Sequence, residues 1–111
     1  MSEHIINEIA RERKNQKINL DRAEALWRLM DNPDFQLVFR DYYQGLYLQR
    51  LVKDDLALAA ADQVKQSAVD KIKAIGLFDH FIKQVDREGA YARQFMLASD
   101  EELILAYEEQ E

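Results

Sequence analysis

Few side chains in this sequence could bind a metal, attack a carbonyl or move a proton. The two histidines, His4 and His80, lie far apart, with no H-E-x-x-H or H-x-E pattern to bring a second ligand onto one helical face. Asp79 and His80 are adjacent, but neighbours on a helix point about 100° apart and do not face each other. Ser2 and Ser99 read as helix caps and Ser67 as a small residue within a helix; none stands in G-x-S-x-G or S-x-x-K. Gly45, Gly76 and Gly89 are isolated inside helical patterns, which leaves no loop to cradle a phosphate. The carboxylate pairs Asp31/Asp34 and Asp55/Asp62 read as solvated faces rather than as a general acid and base. With no cysteine, thiolate zinc sites, iron–sulfur clusters, cysteine nucleophiles and disulfides are all excluded. The expectation is a non-enzymatic protein with no metal and no cofactor.

Binding chemistry is the alternative, and charge narrows it. Arg11, Arg13, Lys14 and Lys17 form one basic run and Lys65, Lys71, Lys73 and Lys83 another, but Glu12 interrupts the first and Asp62, Asp70 and Asp79 the second. Neither gives the uninterrupted positive field that counterion release needs, so direct nucleic-acid binding is not expected. The net charge is −6. Residues 1–98 are nearly balanced, and the imbalance sits in Asp100, Glu101, Glu102, Glu108, Glu109 and Glu111, with no cation from Ser99 onward. Such a segment repels nucleic acid and favours basic partners. No apolar run reaches the 18 or more residues of a membrane span, and the start, Met1-Ser2-Glu3-His4, lacks the basic and apolar regions of a signal peptide. A cytosolic or intravirion protein is expected.

Aromatic side chains are the remaining candidates: Trp27, Phe35, Phe39, Tyr42, Tyr43, Tyr47, Tyr91 and Phe95. Tyr and Trp suit interfaces because they carry large rigid area with a polar tip, although a domain of this size also needs big side chains to fill its core. Phe35, Val38, Phe39, Tyr42, Leu46 and Arg50 hold the i, i+3, i+4, i+7 stripe of a core-facing helix. Tyr43, Tyr47 and Leu51 lie beside that stripe and make the apolar face wider than one contact requires, which marks them as the expected protein interface.

These residues need elements to position them, and the elements are helices. Three Gly and one Pro in 111 residues, with 48% hydrophobic side chains, predict an all-α domain without many tight turns. Ser2 caps a first helix with Ile5, Ile6 and Ile9 on its face, and residues 1–17 form a peripheral docking helix. Asn19 caps a second, with Leu20, Ala23, Leu26, Trp27 and Met30 at helical spacing. Asn32-Pro33-Asp34 reads as a stop and restart, with Asn32 as cap and Pro33 in the first turn. A third helix runs from Pro33 to about Lys53. Asp54-Asp55 cap a long helix opening at Leu56 and reaching Glu88, about 50 Å if Gly76 does not kink it. Its steps 68, 72, 75 and 82 resemble a heptad seam spoiled at Asp79, which favours packing in a bundle over a sustained coiled coil. Gly89 breaks the chain before a stretch over 90–97, and Ser99-x-x-Glu102 is a capping box for a last helix. The predicted architecture is a small helical bundle of four to six helices with one long helix, residues 1–98 forming a single helical domain and 99–111 a short acidic helix or tail.

The segment Ala23-Glu24-Ala25-Leu26-Trp27-Arg28-Leu29-Met30-Asp31-Asn32-Pro33-Asp34-Phe35, with Tyr42-Tyr43 after it, resembles a group of small helical proteins of tailed bacteriophages. Ile72 to Ile82, and Glu88-Gly89-Ala90-Tyr91-Ala92, are similar to two further stretches of that group. The resemblance covers about two thirds of the chain. It implies a protein of the head or packaging gene region and carries over no catalytic residue. The function expected is self-association, or contact with another phage protein, as a structural, head-assembly or packaging component. The alternative is a phage-encoded regulatory adaptor or inhibitor that binds a host protein through its acidic tail.

Overall fold

The computed structural model describes residues 3–110, the side chain of Gln110 excepted. It holds three helices, one of them long, and no strand among the described residues. We call them α1 (Glu3–Met30), α2 (residues 33–56) and α3 (Asp62–Gln110). α2 mixes α-type turns at Pro33–Phe35 and Leu48–Arg50 with wider π-type turns at Gln36–Tyr47 and Leu51–Leu56, while φ and ψ at Leu48 and Leu51 stay near −59° and −43°. The expected four to six helices are therefore three, because several local start signals are overruled.

Asn19 does not cap a new helix. Its side chain is engaged sideways, donating to Gln16 and accepting from Arg22, and the Lys17–Asp21 ion pair one turn apart supports the same stretch. The helix runs on, so residues 3–17 are its first part and no separate helix; Ser2, the expected cap, lies outside the described residues. Gly89 and Ser99 are likewise passed through by α3, and the S-x-x-E pattern at Ser99 lies mid-helix with Ser99 only 2% exposed. The segment 57–61, expected to open the long helix, is instead the non-helical connection between α2 and α3. Asp54 and Asp55 belong to the last turn of α2 rather than to a cap. The Asn32-Pro33-Asp34 boundary stands: Asn32 Oδ1 accepts from the amides of Asp34 at 2.8 Å and Phe35 at 3.3 Å.

The chain divides into two compact units. One spans Arg28–Lys83; the other joins the segment up to Trp27 to the segment from Gln84. In the first, Leu51 of α2 meets Ala68 and Ile75 of α3, and Tyr43, Tyr47, Leu48, Leu56 and Ile72 pack against them. Residues 68, 75 and 82 are all buried, so the seam follows a strict seven-residue step. Ile72 packs on the same cluster, and at the matching position seven residues on Asp79 is a half-buried polar residue 3.8 Å from Arg40 of α2.

In the second unit, α1 and the C-terminal half of α3 run antiparallel. Half-buried Ile6, Ile9, Arg13, Gln16, Leu20 and Trp27, with fully buried Ala23, alternate at three- and four-residue steps along α1. Opposite them the buried positions are small: Gly89, Ala92, Ser99 and Ala106. An ideal Cβ at Gly89 would stand 2.0 Å from Ala23 Cβ, so glycine is what lets the helices approach there. Trp27 closes one end, its Nε1 donating to Asp86 at 2.7 Å and its ring covered by the Arg93 guanidinium at 4.5 Å. In the middle Arg13 donates to the Met96 carbonyl at 3.0 Å and to Ser99 Oγ, and pairs with Asp100 at 2.7 Å. A polar residue at such a seam position fixes the register of two helices.

Candidate interaction surface and cleft

The three residues expected at an interface are turned inward. Leu51 is 2% exposed, and Tyr43 and Tyr47 pack on its cluster, stacked on each other at 6.0 Å. Tyr43 also meets Phe78 of α3 edge-on at 5.8 Å, and Phe39 stacks on Phe78 at 5.6 Å. The stripe expected to be the core is turned out instead: Val38 is 52%, Tyr42 44% and Leu46 56% exposed. Both lines of α2 are apolar at helical spacing, so periodicity alone could not decide which one α3 covers. α3 covers the line that carries Gln44 and Leu48 between the tyrosines and Leu51.

That choice leaves α2 apolar on both faces. Val38, Tyr42 and Leu46 lie four residues apart, one above another, and Phe39 beside them is still 38% exposed. A helix with only one covered side normally shows polar residues on the other. Exposed apolar residues in a contiguous stripe mark an interaction site more often than scattered ones do.

Beside the Leu51 cluster a cleft of about 400 Å³ is lined by Gln44 and Leu48 of α2 and by Ile72, Ile75, Gly76 and Asp79 of α3. Gly76 leaves open space where a Cβ would be, with no atom within 4 Å. The polar end is organised by charge: Arg40 donates to Gln44 Oε1 at 2.8 Å, and Asp79 lies 2.9 Å from Lys83 and 3.8 Å from Arg40. Gln44 Nε2 is buried without a partner among the described residues. The lining holds one titratable side chain, the Asp79 carboxylate, and no histidine, serine or tyrosine. Leu48, Ile72 and Ile75 make its walls apolar. Gln44 carried no sequence signal, while Gly76 read only as a kink and Asp79 only as a spoiled seam position, and nothing in the sequence joined the three before α2 and α3 are set side by side.

The acidic residues do not form a detached tail. Asp100 is held by Arg13, and Glu101, Glu102, Glu108 and Glu109 lie on the exposed side of α3 while Ser99 and Ala106 of the same turns are buried. Glu111 lies outside the described residues. His4 is paired with Glu8 at 2.9 Å and His80 is exposed; no group of three or more His, Cys, Asp or Glu that could hold a metal occurs among the described residues. No helix among them is long and apolar enough to cross a membrane. No protein-family model matches the chain, and neither curated sequences nor solved structures give a match.

Proposed function

We propose that this chain is a non-enzymatic protein that works by protein–protein contact and associates with itself through the outer face of α2. The observation that carries the reading is the exposure of Val38, Tyr42 and Leu46 on a helix whose opposite face is already packed. Burying apolar area is worth roughly 25 cal/mol per Å², so a stripe left in water favours association. A role as a small structural, head-assembly or packaging component of a tailed phage, working in host cytoplasm or virion, rests on the resemblance of the 23–35 and 72–92 segments. The apolar walls of the cleft, Leu48, Ile72 and Ile75, suit a side chain of a protein partner and support the binding reading.

Sedimentation velocity over a wide concentration range tests the reading. The wild-type chain is expected to shift from monomer to a defined oligomer, and Val38→Ser with Leu46→Ser to stay monomeric with unchanged far-UV circular dichroism. A wild-type chain that is monomeric throughout, or an oligomer indifferent to both substitutions, overturns it.

A further inference from the structure

We propose that the partner on this face is α2 of a second copy, lying antiparallel with Tyr42 on the two-fold axis; the proposal rests on the self-association reading and specifies its geometry. The exposed line is symmetric about Tyr42. Val38 stands four residues before it and Leu46 four after, so a two-fold axis through Tyr42 sets Val38 of each copy against Leu46 of the other. Both are aliphatic and more than half exposed, which suits a self-complementary contact.

Charge selects the direction. Asp34 stands in the first turn of α2, directly after Asp31, and Arg50 and Lys53 stand near its C-terminal end. None of Asp31, Asp34 or Lys53 takes part in an ion pair within the chain among the described residues, and all three are exposed. On the side of the helix that carries Tyr42, antiparallel pairing sets Asp34 of each copy against Arg50 of the other and Asp31 against Lys53, while Asp54 and Asp55 of the last turn stand about 100° and about 200° round from Lys53; parallel pairing would bring like to like on that side. Opposed helix dipoles favour the same direction. Lys53 lies eleven residues from Tyr42, about three full turns, and so on the same side of the helix.

The geometry is tested on the full chain by cysteine cross-linking, for which the absence of native cysteine gives a clean background. Helices about 8–10 Å apart place facing Cα atoms within disulfide reach. Residues eight apart along a helix are separated by about 12 Å, beyond that reach. Tyr42→Cys is expected to cross-link to itself under mild oxidation. Val38→Cys and Leu46→Cys are each expected to stay uncross-linked alone and to form a mixed dimer when combined. Self-cross-linking of Val38→Cys means parallel pairing and overturns the proposal. Oligomer by sedimentation without any of these cross-links means another surface, which overturns the pairing and leaves self-association standing. A monomer at every concentration overturns both. Where the pairing holds, Tyr42→Ala with Leu46→Ala weakens the dimer by at least about tenfold.

Discussion

Gly89→Ala is expected to destabilise the protein although alanine is the better helix former. Inside an α-helix the exchange alone gains about 0.8–1 kcal/mol. The new Cβ, however, would sit 2.0 Å from Ala23 Cβ and 3.3 Å from Trp27 Cζ2. Carbon atoms rest comfortably at about 3.5–4.0 Å, so the two helices must part by about 1.5 Å at this level. Ala23 Cβ is fixed to the backbone and cannot turn aside. Parting also stretches the 2.7 Å Trp27–Asp86 hydrogen bond. Overpacking of this kind costs about 1–3 kcal/mol, and contact with a rigid atom puts this case at the upper end; the net loss is about 1–2 kcal/mol. Gly76→Ala on the same helix is the control, because nothing lies within 4 Å of its Cβ and the full propensity gain of about 1 kcal/mol is expected. Urea unfolding followed by far-UV circular dichroism, at one fixed protein concentration, reads both. In Tm the two variants should move apart by roughly 8–12 °C, at about 4 °C per kcal/mol. Adding Ala23→Gly to Gly89→Ala should recover part of the loss, as a coupled pair in contact does. If Gly89→Ala raises the urea midpoint as Gly76→Ala does, the close approach of α1 and α3 at this level is wrong.

Ile75→Ala, at a position 4% exposed, is expected to cost about 2–4 kcal/mol, read in the same unfolding assay, whereas Leu77→Ala, two residues on and 69% exposed, should stay within about 0.5 kcal/mol. Asn32→Ala removes the oxygen that accepts from Asp34 and Phe35 and should lower stability by about 1 kcal/mol, with Asn32→Asp close to neutral. Arg13→Ala should cost about 1–2 kcal/mol, since the Met96 carbonyl and Asp100 lose a charged donor, and high salt should reduce the difference from wild type. Glu101→Gln with Glu102→Gln and Glu108→Gln removes exposed charge without cutting α3; loss of a basic protein partner in a pull-down would point to the acidic face, and unchanged assembly to the α2 face.

The sequence carried the helical class and the Asn32-Pro33-Asp34 boundary, because both depend on local chemistry: a side-chain oxygen over free amides, a proline where no amide is needed. It misled where tertiary contact overrules a local signal. Asn19 and Ser99 have good capping chemistry, but Asn19 is drawn into side-chain hydrogen bonds and Ser99 is buried under Arg13. Gly89 looks like a breaker in one dimension and is a contact point in three. The 68, 72, 75, 82 steps were visible, but not that Asp79, at the polar position among them, would stand opposite Arg40 of α2. The interface suffered the same ambiguity: two apolar lines on α2 have equal periodicity, and only the packing of Leu51 on Ala68 and Ile75 shows which is covered. The cleft was beyond reach, since Gln44 and Gly76 become neighbours only through the reversal at 57–61.

The small residues along the α1–α3 pair also set how its strength responds to temperature. Where Ala23 meets Gly89, with Ala92, Ser99 and Ala106 further along, cohesion comes from backbone-to-backbone dispersion and from the Arg13 and Trp27 hydrogen bonds. The large apolar side chains of α1 along it, Ile6, Ile9, Leu20 and Trp27, are only half-buried, so less of their area is newly hydrated on separation than fully buried ones would expose. Separation of these helices should thus carry a low heat-capacity increment for its length, and the grip between them should fade only slightly on cooling.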